Sequence, residues 1–188
     1  MKISTLENSI VRLRAPEQSD IDVLYVWENN MEIWKVSNTI TPFSRFVLKK
    51  YIETAYLDIW DTKQLRLIIE AKDQSSLMFT PVGLIDLFDF DPFHLRAGLG
   101  ILIANTEFRQ KGYATEALKL MIRYSFDTIQ LHQLYCNIST DNAISLQLFK
   151  NVGFESIGIK KEWLKSLNGW QDEVMLQIVN PNSKLEKN

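Results

Sequence analysis

The sequence predicts one α/β domain of the α+β type, with a mixed, mostly antiparallel sheet of about seven strands and helices on both faces. Two observations carry this prediction. Apolar runs at 65–71, 81–88 and 97–104 are joined by short polar links, which is typical of antiparallel neighbours. A further run at 134–138 follows a long amphipathic stretch, and a strand–helix–strand order predicts that it is parallel to the strand before it.

The composition is that of an ordinary globular protein. The chain has 188 residues, of which 46% are hydrophobic and 23% are charged. Without repeats or linkers, 1–188 is predicted to be one domain with a core at about 8–179 and a polar tail at 180–188. The formal net charge of −2 creates no global field toward nucleic acid or anionic lipid. No apolar run approaches the roughly 20 residues of a membrane span. We therefore expect neither nucleic acid nor membrane as a partner.

The cysteine count bears on the compartment. Cys136 is the only cysteine and lies in an apolar run, so the chain can form no disulfide framework. The first residues have no long apolar core of the kind found in signal peptides. Both observations favour a cytoplasmic protein. No metal is expected as a cofactor.

The N-terminal third is predicted to be mainly helical. A strand at 9–14 is followed by a capping signal at 19–22, from which a helix runs to about residue 29. The stretch 30–42 is predicted to be irregular. Apolar residues at spacings of three and four then predict a single helix from 44 to 59.

Besides the run at 134–138, two helices and two strands are predicted after the third apolar run. Gly153 is expected to end the second helix, and a turn at 168–169 is expected to join the last two strands. These four elements are placed at 113–126, 142–151, 154–159 and 172–178.

One turn has a possible binding function. Arg109-Gln-Lys-Gly112-Tyr-Ala114 separates a buried strand from a long helix. A helix N-terminus carries partial positive charge and unsatisfied N–H groups, so it can bind an anion. From local sequence alone the turn is either such a site or an ordinary strand-to-helix loop. It is neither a Walker loop nor a dinucleotide fingerprint.

A second motif lies downstream, Asn142-Ala-Ile-Ser145 followed by Phe149-Lys-Asn-Val-Gly-Phe154. With the first motif and the element order, it resembles the GNAT superfamily of N-acetyltransferases, most convincingly over about 80–178. The local likeness is to spermidine N-acetyltransferases and ribosomal-protein N-terminal acetyltransferases. The resemblance implies transfer of an acetyl group from acetyl-CoA to a primary amine, on a polyamine, another small amine or a protein N-terminus. It further implies direct attack in a ternary complex and central parallel strands that splay apart.

The resemblance also implies where acetyl-CoA would bind. Backbone amides of 110–114 would hold its diphosphate, with added charge from two basic side chains, and the edge of the 97–104 strand would pair with its pantetheine arm. Asn142 would hydrogen-bond the arm, or would simply cap a helix. The predicted cofactor residues are Leu102, Ile103, Ala104, Arg109, Gln110, Lys111, Gly112, Tyr113, Ala114 and Asn142.

The catalytic residues are less well marked. Phe149 stands where many family members have a proton-donating tyrosine, so Ser145, one helical turn earlier, is the candidate donor; the alternative is a capping or solvated serine. Gly98 stands where an acid is common in the family. Asp86 matches a glutamate of the spermidine enzymes and is the candidate base or amine-binding group, or else a solvent-facing strand residue.

The acceptor wall is predicted to contain Glu28, Glu32 and Trp34, whose alternatives are a solvated face and core packing. An acidic pair that spermidine enzymes carry before their second helix is replaced here by 39–44, which weakens the case for a polyamine. A different acceptor remains open, as does a non-catalytic acyl-CoA-binding protein of the same fold. A homo-oligomer is possible.

Overall fold

Seven strands form one sheet in the computed structural model, which describes residues 6–37, 39–54, 57–72, 78–166 and 169–183. The spatial order is β1-β2-β3-β4-β5-β7-β6, and every neighbouring pair is antiparallel except β4 and β5. This confirms the predicted fold class. The strands are β1 Val11–Arg14, β2 Leu65–Lys72, β3 Phe79–Asp91, β4 Arg96–Ile103, β5 Gln133–Ser139, β6 Glu155–Ser166 and β7 Gly169–Val179.

Helices cover both faces of the sheet. The first three pack with residues of β2 and β3 in one apolar cluster that includes Leu24, Leu48 and Ile68. The last two belong to the larger cluster on the opposite face. None of the described helices is long and apolar enough to cross a bilayer. The helices are α1 Ile21–Glu28, α2 Met31–Ser37, α3 Arg45–Glu53, α4 Ile59–Thr62, α5 Tyr113–Asp127 and α6 Ala143–Asn151.

The N-terminal helices differ from the prediction in two places. Part of the stretch predicted to be irregular is α2, because the Asn30 side chain accepts a hydrogen bond from the Glu32 N–H and starts a new helix. The single helix predicted over 44–59 is two helices. Asp58 accepts hydrogen bonds from the first N–H groups of α4 and begins it anew. Residues 55–56 of the predicted stripe lie outside the described residues.

The predicted boundaries shift at both ends of the chain. The first helical region begins at Gln18, before the predicted capping signal at 19–22, and Asp20 closes its start by accepting a hydrogen bond from the Glu17 N–H. Asp22, the acid of the predicted signal, pairs with Arg45 instead. Asn180, assigned to the polar tail, is buried and donates to the Leu131 carbonyl at 3.1 Å. The packed part of the chain therefore extends past the last strand. Residue 168 of the predicted turn lies outside the described residues.

The sheet opens at its centre. In the described strands, β4 pairs with β5 only over Arg96–Gly98 and Gln133–Tyr135. β4 nevertheless stays paired with β3 as far as Ile103. The two central strands therefore diverge beyond Gly98 and leave a cleft, which confirms the predicted splay.

Candidate active site

The loop before α5 has an unusual backbone. Gln110 has φ +59° and Gly112 has φ +83°, both in the left-handed region that favours glycine. Gly112 is the N-cap of α5 and no side chain caps the helix there. An added Cβ at Gly112 would meet nothing within 4 Å. The first N–H groups of a helix have no intrahelical partner, and with no side chain capping them here they are available to an anion such as a diphosphate.

The loop is tied to the end of β4. Arg109 Nε donates to the Ile103 carbonyl at 3.1 Å, and its Nη2 donates to the Ala104 carbonyl at 3.4 Å. Lys111 Nζ lies 5.5 Å from the ring centroid of Phe108. The predicted diphosphate loop and the predicted pantetheine edge are thus brought together, although the Arg109 guanidinium turns toward the strand.

The three residues predicted to line the pantetheine arm, Leu102, Ile103 and Ala104, differ in which way their backbone groups point. The Ala104 N–H donates to the Val82 carbonyl at 2.9 Å, so it points toward β3 and not toward the cleft. Successive strand residues direct their backbone groups to opposite sides, so Ile103 turns toward the cleft and Leu102 turns away. Of the three predicted residues, Ile103 is the one whose backbone faces the opening.

Asn142 occupies the other side of the cleft. It is the N-cap of α6, and its Oδ1 accepts a hydrogen bond from the Ser145 N–H at 3.1 Å. The capping role is therefore real and leaves the amide Nδ2 as the group available to a ligand. Ser145 is half-buried in the first turn of α6.

Asp86 lies opposite Gly100 of β4 and forms part of a buried ionic cluster. Arg66 Nε donates to Asp86 Oδ1 at 2.7 Å and Nη2 donates to Oδ2 at 3.1 Å, while Nη1 donates to Glu28 Oε1 at 2.6 Å. Sequence reasoning proposed both carboxylates and missed the arginine between them. The available signal was a basic residue inside the apolar run at 65–71.

The Acetyltransferase (GNAT) domain profile matches residues 11–155 of the chain. The chain therefore belongs to the GNAT acetyltransferase family. It is 26% identical over 148 residues to the spermidine N(1)-acetyltransferase of Escherichia coli strain K12, covering 79% of this chain and 74% of that protein. It is 27% identical over 155 residues to the spermidine N(1)-acetyltransferase of Vibrio cholerae, and the match covers 80% of this chain and 82% of that protein.

The fold agrees with a solved GNAT structure. The spermidine N-acetyltransferase of Vibrio cholerae, crystallised with CoA and spermine, superposes with a TM-score of 0.80 at 25% identity, covering 92% of this chain and 97% of that one. The chain is accordingly an acetyl-CoA-dependent N-acetyltransferase, as the resemblance implied. The alternative of a non-catalytic acyl-CoA-binding protein has no support.

Two positions where many GNAT enzymes have a tyrosine and an acidic residue are occupied in this enzyme by Phe149 and Gly98. Phe149 is 3% exposed and packs edge-on against Phe154 at 5.1 Å between ring centroids, so it is a core aromatic. Gly98 lies under the ring of Phe88, where an added Cβ would come within 2.3 Å of a ring carbon. Phe88 in turn contacts Tyr135 edge-on at 6.1 Å. An aromatic pair therefore occupies the space that an acidic side chain at 98 would need.

The predicted acceptor residues have separate environments. Glu28 is buried in the cluster with Arg66. Trp34 donates its indole N–H to the Glu28 carbonyl at 2.6 Å, which fixes the end of α1. Glu32 is exposed on α2. Glu28 is joined to Asp86 through the arginine.

Proposed function

We propose that this GNAT enzyme acetylates a small primary amine whose ammonium group is attracted to the Glu28–Asp86 side of the central cleft. The observation that carries this proposal is the pair of carboxylates beside Gly100, next to the point where β4 leaves β5. The similarity to two spermidine N(1)-acetyltransferases supports an aliphatic amine as the acceptor.

The test is an acceptor screen with acetyl-CoA and thiol detection, using monoamines, diamines, spermidine, amino acids and peptides with free N-termini. We expect thiol release with aliphatic amines and little with peptides. Release with peptides alone would contradict the proposed acceptor. Failure to bind acetyl-CoA would contradict the whole site.

For the cofactor half, the backbone N–H groups of 110–114 are proposed to hold the diphosphate, supported by the open left-handed turn at Gly112. Ile103 contributes the β4 edge and Asn142 Nδ2 reaches the arm from α6. Acetyl-CoA, when bound, supplies a thioester carbonyl that an amine can attack.

Direct attack by the amine is supported by the state of Cys136. Burial raises the pKa of its thiol to about 12, so the nucleophilic thiolate is scarce at neutral pH. Cys136 is thus a poor acceptor for an intermediate acetyl group. We propose that the amine loses its proton to solvent or to a carboxylate of the cluster and attacks without a covalent enzyme intermediate.

Asp86 is proposed to position the acceptor amine. Asp86→Asn keeps the size of the side chain and removes its charge, so kcat/KM for the amine should fall about 10-fold to 100-fold, mainly through KM. The KM for acetyl-CoA should stay unchanged. Steady-state kinetics with each substrate varied in turn measure both constants.

The matched control for Asp86 is Asp91→Asn. Asp91 is also on β3 and pairs with an arginine, Arg96, but lies at the turn end of the strand. It should leave the amine constants near those of the wild type. Equal effects of the two substitutions would reduce Asp86 to a structural role.

Ser145 is proposed to donate a proton to the departing CoA thiolate. A thiolate is a good leaving group, so Ser145→Ala should lower kcat only by roughly 10-fold. The exposed Ser156 on β6 offers Ser156→Ala as the control. An unchanged kcat in Ser145→Ala would leave the serine as part of the helix start.

The remaining expectations stay proposals. Self-association is proposed from the exposed edge strand β6, with Ile157, Ile159 and Trp163 more than half exposed, and light scattering tests it. A Vibrio cholerae spermidine N-acetyltransferase is described as dodecameric.

We also propose a cytoplasmic location, supported by the unpaired thiol of the sole cysteine. Fluorescence microscopy of a tagged chain tests this location, and export of the chain would contradict it. The predicted roles of Glu32 and Trp34 in binding the acceptor remain predictions. So does the expectation that the enzyme needs no metal and binds neither nucleic acid nor membrane.

A further inference from the structure

The ionic cluster beside the cleft contains its own cation. Arg66 grips Asp86 with two hydrogen bonds and reaches Glu28 with a third. Glu28 is 7% exposed, and the side chains of Arg66 and Asp86 are 22% and 20% exposed. The three side chains therefore carry a net charge of −1 in a region largely shielded from water.

The positive charge of Arg66 is permanent. Burial alone would lower the pKa of its guanidinium, but the neighbouring carboxylates of Asp86 and Glu28 outweigh burial and raise that pKa. The ring of Tyr51 lies 5.8 Å from the guanidinium carbon and closes the cluster on the α3 side. Tyr51 has its own pKa raised, chiefly by burial, so it adds no charge at neutral pH.

We infer that Arg66 determines the charge specificity of the acceptor site, favouring amines with one positive charge over polyamines. This inference rests on the proposed function, since it assumes that the acceptor ammonium lies on the Glu28–Asp86 side of the cleft. The guanidinium occupies the position between the carboxylates that a second ammonium of a diamine would take.

The reason is electrostatic. A first ammonium gains from the net charge of −1 and pairs with a carboxylate lone pair that Arg66 leaves available. A second ammonium meets a cluster that is already neutralised, and it also meets the like charge of Arg66 in a medium that screens poorly. Selectivity against the polyamine thus comes from repulsion as much as from lost attraction.

The chain holds a second arginine-bridged carboxylate pair away from the cleft. Arg14 of β1 bridges Asp20 and Glu70 with hydrogen bonds of 2.7 Å, and its side chain is also 22% exposed. Asp20 and Glu70 are buried, as Glu28 is. β1 is the edge strand, separated from β4 by β2 and β3. Glu70 also accepts a hydrogen bond from Arg12 Nε at 2.7 Å, so it keeps a cationic partner when Arg14 is lost. Loss of Arg14 should therefore remove a bridging arginine of equal exposure, at a smaller stability cost than loss of Arg66, without touching the acceptor.

The experiment compares 1,4-diaminobutane with n-butylamine, which differ by one ammonium group at equal chain length. The measured quantity is kcat/KM for the diamine divided by kcat/KM for the monoamine, from thiol release at saturating acetyl-CoA. In Arg66→Met this ratio should rise about 10-fold or more, and the rise should shrink at high salt. In Arg14→Met it should stay within about 2-fold of the wild-type ratio.

Charge-restoring variants separate charge from packing. Arg66→Lys keeps the cation and should have a ratio near that of the wild type. Arg66→Met with Glu28→Gln returns the cluster to a net charge of −1 without the cation, so its ratio should lie below that of Arg66→Met. Glu28→Gln alone makes the cluster neutral and should lower the ratio, which tests the inference even when Arg66→Met fails to fold.

The outcomes are distinguishable. An unchanged ratio in both Arg66→Met and Glu28→Gln, with acetylation of n-butylamine retained, overturns the role of Arg66 and leaves the proposed function standing. An equal rise in Arg14→Met would also overturn it. No thiol release by the wild type with either amine overturns the proposed acceptor class, and this inference with it.

Discussion

Gly112→Glu should raise the Kd of the enzyme for acetyl-CoA by more than about 100-fold, because a carboxylate would stand where the diphosphate is proposed to bind. Glutamate also tolerates the left-handed φ of +83° poorly. The strain should cost only about 1–2 kcal/mol of unfolding free energy, since the added Cβ meets no neighbour. Isothermal titration calorimetry measures the Kd, and a thermal melt shows that the variant is folded.

Gly112→Ala is the control for backbone strain. It imposes the same left-handed φ without charge, so its stability loss should match that of Gly112→Glu while its acetyl-CoA affinity falls much less. Wild-type affinity in Gly112→Glu would mean that the diphosphate lies elsewhere. Equal loss of affinity in both variants would assign the effect to loop geometry instead of charge.

Gly83→Ala is expected to destabilise the fold by about 3 kcal/mol or more. Gly83 pairs with Ile103 in the β3–β4 ladder, and an added Cβ would stand 1.9 Å from the Leu102 carbonyl oxygen. That oxygen belongs to the backbone of a central strand, so it can move away only if the two strands separate. Urea denaturation measures the unfolding free energy.

Gly158→Ala provides the comparison for the same chemical change. Gly158 lies in the β6 edge strand, where an added Cβ meets nothing within 4 Å. Its unfolding free energy should change by no more than about 0.5 kcal/mol. Because Gly83 adjoins the end of β4, its alanine variant should also weaken acetyl-CoA binding. A fully stable Gly83→Ala would contradict the tight packing of β3 on β4.

Local pattern predicted the sheet and the strand–turn–helix unit around Gly112. The apolar runs of β2, β3 and β4 are read directly from periodicity, and Gly112 marks its turn because few other residues adopt that φ. The helices that begin after Asn30 and Asp58 are missing from the prediction because in each a single capping side chain outweighs the surrounding pattern. The spacing of apolar residues contains no information about a capping side chain, so it does not show where one helix ends and the next begins.

The acceptor side depends on contacts between distant segments. Arg66 joins Glu28 across 38 positions and Asp86 across 20. Nothing near Asp86 in the sequence indicates that its charge is already paired. The same holds for Phe88, whose ring reaches Gly98 only after β3 and β4 have paired. Charge balance and steric fit at this site are properties of the assembled sheet.

The contact between Phe88 and Gly98 also constrains how the enzyme can change during evolution. Any side chain at 98 comes too close to the Phe88 ring, whereas a smaller residue at 88 creates no new contact with Gly98. A lineage that acquires an acidic residue at 98 therefore does so at lower cost after losing the aromatic residue at 88, because in the reverse order the Phe88 ring must turn away from its place against Tyr135. Replacement of Phe88 by a smaller residue is therefore the change that makes an acidic residue at 98 acceptable.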